Sequence, residues 1–126
     1  MTWAFPDETS AYAEDVLGYL NRAATIVPRI WPFEVVNSLL VGERRRRITK
    51  ELTAEFLQRL TGLAISVDNT APDMERLVLI GRQYGTSGYD AAYLELASRQ
   101  GVPLATLDDG LQRAAQRMGV ELFDPR

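Results

Sequence analysis

The stretch Thr86-Ser87-Gly88-Tyr89-Asp90-Ala91-Ala92-Tyr93-Leu94-Glu95-Leu96-Ala97, followed by Val102-Pro103-Leu104-Ala105-Thr106-Leu107-Asp108-Asp109, decides the fold. Thr86 and Ser87 supply a polar cap for a helix running from Gly88 to about Arg99, with Asp90 in its first turn. Its apolar positions Ala91, Ala92, Leu94, Leu96 and Ala97 nearly encircle it, which predicts burial on most sides. Gly101 ends the helix. The short apolar strand Leu104-Ala105-Thr106 comes next and delivers Asp108 just beyond its carboxyl end. Two acids are thereby placed at element ends, where backbone dipoles and loops form crevices.

The same alternation extends outward. Upstream, Leu63-Ala64-Ile65-Ser66-Val67-Asp68 reads as a strand, and a helix from about Ala71 to Gln83 carries Met74, Leu77, Val78 and Ile80 before Gly85 stops it. Further back, Ala24-Thr25-Ile26-Val27-Pro28 is a strand. Trp31-Pro32-Phe33-Glu34 opens a helix in which Val35, Val36, Leu39 and Leu40 are expected to cover the core side. That helix runs out through Glu43-Arg44-Arg45-Arg46-Arg47. Thr49-Lys50-Glu51-Leu52 starts another, reaching about Leu60 or Leu63, with Leu52, Phe56, Leu57 and Leu60 in register. Pro6-Asp7-Glu8 opens a first helix that reaches about Asn21. Gly110 to Met118 is the last helix and Val120-Glu121-Leu122-Phe123 the last strand. Strands alternate with helices and no hairpin signal intervenes, so the expectation is one α/β domain over residues 1–126 with a parallel sheet. Met1 to Phe5 is too short and too poorly patterned for the buried strand that usually opens such a domain.

Composition narrows the chemistry. The 126 residues contain no Cys and no His. Disulfides, thiolate zinc sites, imidazole catalysis and His-ligated metals are therefore excluded. Acid–base or metal chemistry must rest on carboxylates. No apolar run approaches a membrane span and no signal pattern opens the chain, which fits a cytoplasmic protein. The net charge of -3 gives no global footprint for nucleic acid, so any such contact must be a local basic patch.

Glu34, Asp90 and Asp108 each have an ordinary structural role. Glu34 suits a first helical turn, Ser87-x-x-Asp90 has the form of a capping box, and Asp108 can cap the last helix. Asp109 competes for that last cap and would leave Asp108 free. Together, however, they are three acids at the amino ends of helices, in a fold that gathers such ends. If they converge, mutual repulsion raises their proton affinities, and a divalent cation relieves it. All-oxygen ligation points to Mg²⁺ or Mn²⁺, and the matching chemistry is phosphodiester hydrolysis. Asn37 shares a helix face with Glu34, and the Thr106 hydroxyl can bond a carboxylate. Arg44, Arg45, Arg46 and Arg47 with Lys50 are either a solvated helix end or a phosphate-binding ridge for RNA. Trp3, Trp31, Tyr89 and Tyr93 read as core or rim.

These residues resemble those of PIN-domain proteins of the VapC toxin type. The resemblance rests on Trp3-Ala4-Phe5-Pro6-Asp7-Glu8, Pro32-Phe33-Glu34-Val35-Val36-Asn37-Ser38-Leu39, Tyr89-Asp90-Ala91-Ala92-Tyr93-Leu94-Glu95-Leu96-Ala97 and Leu104-Ala105-Thr106-Leu107-Asp108, and covers almost the whole chain. It implies a three-layer α/β sandwich, Mg²⁺-dependent endoribonuclease activity, a homodimer and a cognate antitoxin that blocks the site. By motif position, Glu34, Asp90 and Asp108 would be the acidic metal-site residues, with Asn37 and Thr106 in support. The family pattern begins with an apolar strand ending in a metal-ligand Asp, and this chain begins at Met1, past that point, as a longer natural protein or a genuinely shortened copy would; Asp7 is no substitute. The expectation is a chain that binds Mg²⁺ weakly and cuts RNA poorly until such a strand is restored. The rival expectation is a non-catalytic, degenerate PIN domain that holds RNA or a protein partner.

Overall fold

Helix stops are the sharpest local signals in the chain, and Gly85 and Gly101 show why. Both adopt the left-handed conformation, with φ of 68° and 64°, that a side chain disfavours. Each closes its helix by donating its backbone N–H to a carbonyl of the last turn. The computed structural model describes Thr2–Trp3 and residues 24–123. The expected first helix, Pro6 to about Asn21, lies outside the described residues.

The described residues form four strands: β1 (Thr2–Trp3), β2 (Thr25–Pro28), β3 (Ile65–Asp68) and β4 (Leu104–Ala105). Five helices accompany them: α1 (Trp31–Arg44), α2 (Lys50–Thr61), α3 (Met74–Tyr84), α4 (Gly88–Gln100) and α5 (Asp109–Met118). β2 pairs in parallel with β3, from Thr25 opposite Ile65 to Pro28 opposite Asp68. β1 pairs in parallel with β4, Thr2 opposite Leu104 and Trp3 opposite Ala105. β1 also lies against β2, so the two pairs run side by side in the order β3-β2-β1-β4. The short opening segment thus supplies a two-residue strand paired with β4. The expected last strand is reduced to one parallel bridge, Leu122 beside Leu104, with Leu104 N–H donating to the Glu121 carbonyl at 2.8 Å.

α4 is buried on most sides, as its composition predicts. It packs on β1, β2, β4 and α3. Ala91, Tyr93 and Leu94 are fully buried, and Leu96 and Ala97 nearly so. α1 differs from expectation. Its buried positions are Trp31, Val35, Ser38, Leu39 and Gly42, while Val36 and Leu40 are about half exposed. At 100° per residue these two fall one position around the helix from the buried arc, beside the exposed Phe33. α2 behaves likewise: Phe56 is buried, Leu60 is partly so, and Leu52 and Leu57 are exposed. α3 starts later than expected, because Asp73 takes the cap by accepting from Arg76 N–H at 3.1 Å.

The end of α1 is unusual. Arg46 N–H donates to the Glu43 carbonyl at 3.0 Å and Arg47 N–H to the Gly42 carbonyl at 2.8 Å. This is the paired closure that normally uses a glycine at the left-handed position. Here Arg46 occupies it, with φ of 55°. Arg46→Gly should therefore stabilise the fold by roughly 0.5–1 kcal/mol, the steric relief less the added chain entropy. Urea denaturation of the variant measures it, and a lower midpoint would contradict the strain.

Candidate acidic site

Glu34 lies in the first turn of α1, which follows β2. Its helix has no side-chain cap, since Ile30 occupies that place, but Pro32 removes one of the N–H groups that would need one. An acid there is favoured by the helix dipole. The Glu34 Oε1 accepts a hydrogen bond from the Tyr93 hydroxyl of α4, across 59 residues of sequence. Burial is the main cause that drives the Tyr93 phenol far above its ordinary value, and the Glu34 and Asp90 charges reinforce it. The phenol therefore stays protonated and donating.

Asp90 stands one turn before Tyr93 on the same face of α4. Its backbone N–H donates to the Ser87 hydroxyl at 3.1 Å, which is half of the expected capping box. The other half does not form: among the described residues the Asp90 carboxylate has no hydrogen-bond partner. It is half-buried. Burial first, and the Asp108 charge second, raise its proton affinity above the usual carboxylate range. Both effects disfavour the carboxylate ion.

Asp108 is the cap of α5. Its Oδ1 accepts from Gly110 N–H at 2.9 Å. The expected competition from Asp109 does not arise, because Asp109 is already the first residue of the helix. Thr106 is buried and supports Asp108 through the backbone: Asp108 N–H donates to the Thr106 hydroxyl at 3.1 Å. The Gln112 side chain in turn donates to the Thr106 carbonyl at 2.8 Å.

Asp108 is thus close enough for its charge to act on Asp90, and Tyr93 ties Glu34 to the helix that bears Asp90. The three acids do not form a tight cage: among the described residues no group of three or more acids is close enough to hold a metal ion. Asn37 is exposed and makes no side-chain hydrogen bond among them. Asp7 lies outside the described residues. Arg44, Arg45, Arg46, Arg47 and Lys50 are all exposed. They sit at the far end of α1 from Glu34, about 15 Å along a helix rising 1.5 Å per residue. The role of Tyr93 was missed from sequence, although its spacing of three from Asp90 put both on one face.

A separate cavity of about 560 Å³ lies beside the acids, and none of the three lines it. Its walls include Ile30, Phe33, Met74, Leu77, Tyr89 and Leu96. At its edge Arg99 bonds both Asp68 and Glu95. Partial burial pushes the Asp68 carboxyl up, but bonds from Arg99 and Thr70 outweigh this and hold it below the usual range.

The PIN domain profile matches residues 1–117. The chain belongs to the PIN domain family. It is 29% identical over 105 residues to the protein named Ribonuclease VapC3 of Pyrobaculum aerophilum, covering 82% of this chain and 79% of that one. Its fold is similar to that in the crystal structure of PAE2754 from Pyrobaculum aerophilum, with a TM-score of 0.70 at 19% identity over 90% of this chain and 84% of that one. The parallel sheet flanked by helices is thus a PIN-family arrangement, and the acidic neighbourhood belongs to a PIN domain.

The raised proton affinity of Asp90 has a sign that can be measured. The folded PIN domain binds this proton more tightly than the unfolded chain, so stability falls as pH rises from the ordinary value of 3.8 through the raised one. Asp90→Asn removes that loss. With a chelator present, the variant should melt higher than the parent at neutral pH, and the gap should close in acid. Equal melting profiles across this range would show that Asp90 carries no such penalty.

Proposed function

We propose that this PIN domain is a metal-dependent endoribonuclease of the VapC toxin type, hydrolysing RNA phosphodiester bonds with Mg²⁺ or Mn²⁺ held by Glu34, Asp90 and Asp108. The observation that carries this reading is Asp90: a half-buried carboxylate, without a hydrogen-bond partner among the described residues and repelled by Asp108. The donor set fits the ion. All three groups are hard oxygens, and Mg²⁺ takes only one or two direct carboxylates while keeping several waters. A closed cage of three acids is not required. When bound, the ion supplies a water of lowered pKa and stabilises charge developing on the phosphate. The chain's own contribution is positional. Tyr93 holds Glu34, Ser87 fixes the backbone under Asp90, and Thr106 with Gly110 fixes Asp108.

The likeness to Ribonuclease VapC3 supports the choice of RNA as substrate and of an antitoxin as partner. The exposed stripe Phe33, Val36 and Leu40 on α1 offers an apolar surface suited to such a partner or to a second copy in a homodimer. No helix among the described residues is long and apolar enough to cross a membrane, which is compatible with action in the cytoplasm. The basic residues after α1 provide the phosphate contacts. Among the described residues, Arg44, Arg45, Arg46 and Lys50 are not paired with a carboxylate.

With Mg²⁺ or Mn²⁺ the chain should cleave single-stranded RNA and stop when chelated. Glu34→Gln, Asp90→Asn and Asp108→Asn should each lower the rate by about 10²-fold or more. Rates unchanged in all three variants would end the enzyme reading. Neutralising Arg44, Arg45 and Lys50 by alanine and Arg46 by glycine should flatten the salt dependence of RNA binding by about 3 in log–log slope, at ~0.7 per lost phosphate contact. An unaltered slope removes the ridge from the RNA path. The absence of a three-acid cluster among the described residues favours a second reading, a non-catalytic domain that binds RNA or protein. RNA binding that persists in a chelator, without cleavage under any divalent ion, would select it.

A further inference from the structure

Tyr93 is fully buried, yet it carries a hydroxyl. A buried phenol needs a partner, and many could have served: a backbone carbonyl, a serine, a water. The partner here is Glu34, a carboxylate on another helix. The choice matters because of what Glu34 is. A glutamate has three side-chain torsions to fix, and Glu34 sits at a helix start where no capping side chain organises its surroundings. Asp90 is shorter and is set by its own helical turn; Asp108 is pinned by the Gly110 N–H.

We propose that Tyr93 is a positioning residue for the acidic site: its buried hydroxyl holds the Glu34 carboxylate against the turn of α4 that bears Asp90, so that Glu34 presents its oxygens to a divalent cation without rearrangement. The bond ties α1 to α4 at the turn that bears Asp90, since Asp90 and Tyr93 lie three residues apart on one face. The ring is locked by the core around it, with Ala91, Leu94 and Ala97 also buried on the same helix. The hydroxyl is therefore delivered from a rigid element, and it reaches the carboxylate as a donor only. Carboxylates that hold metals are oriented by such outer hydrogen bonds, and losing one costs about 10–100-fold in affinity. This inference rests on the metal-site reading of Glu34.

The test is Mn²⁺ binding to the whole chain, followed by the electron paramagnetic resonance of free Mn²⁺. Tyr93→Phe keeps the ring and removes only the oxygen. It should weaken Mn²⁺ binding by about 10-fold or more. The decisive readout is a double-mutant cycle. In a Glu34→Gln background, Tyr93→Phe should cause no further loss; in an Asp108→Asn background its full effect should persist. A merely structural tyrosine would weaken binding alike in both. If Tyr93→Phe does not fold, Glu34→Asp withdraws the carboxylate from the intact phenol and should lose Mn²⁺ affinity to a similar degree. Tyr93→Phe binding Mn²⁺ as tightly as the parent, while Glu34→Gln binds it weakly, overturns the inference and leaves the metal site standing. Glu34→Gln binding Mn²⁺ like the parent overturns the metal reading itself, and the role of Tyr93 with it.

Discussion

A carboxylate half removed from water, beside another carboxylate, is the constraint on which the acidic site depends. α4 could be built as a purely apolar helix, since it packs on three strands and on α3. It nevertheless carries Asp90 in its first turn, where the cap is already supplied by the Ser87 hydroxyl. The dipole at a helix start compensates part of the cost of an acid, by about 0.3–1 kcal/mol in exposed cases. It does not compensate for desolvation and for Asp108 together, because the proton affinity of Asp90 remains raised. A structural cap would sit in water or bond back to the chain. Asp90 does neither among the described residues, and this separates it from Asp73, which accepts from Arg76 N–H and is exposed.

Much of the fold was legible because its signals are local. Gly85 and Gly101 stop helices for a steric reason that needs no knowledge of the rest of the chain. Thr49, Ser87 and Asp108 start helices by bonding an N–H two or three residues on. The encircled pattern of α4 likewise announced its burial. Signals that depend on neighbours failed. Val36 and Leu40 were assigned to the core because apolar residues cluster there, yet the buried arc of α1 is set by Trp31, Val35, Leu39 and Gly42. Which side of a helix faces inward is decided by what it packs on. For the same reason Met1 to Phe5 gave no sign of holding a strand: the pairing of Thr2–Trp3 is determined by Leu104–Ala105, a hundred residues away.

The site shows the same division. Glu34, Asp90 and Asp108 were visible as acids at helix starts, a pattern read from spacing and end signals. Their supports were not. Thr106 reads as packing on the strand, and it is buried; its hydroxyl accepts from the Asp108 backbone rather than bonding a carboxylate, because a strand-end hydroxyl lies within reach of an N–H two residues on. Tyr93 reads from sequence as core or rim; it is buried, and its hydroxyl faces an acid 59 residues away that no periodicity could name.

Under the proposed function, the spacing of the acids bears on the kind of ion that would suit them. A calcium site gathers six to eight oxygens from the protein and would demand close convergence of several groups. Mg²⁺ dehydrates reluctantly and leaves much of its shell to water and to substrate phosphate oxygens. Acids that share a neighbourhood without closing on one another, as here, leave that space. Under the proposed function, a cation that relieved the repulsion between Asp90 and Asp108 would also stabilise the folded chain by mass action.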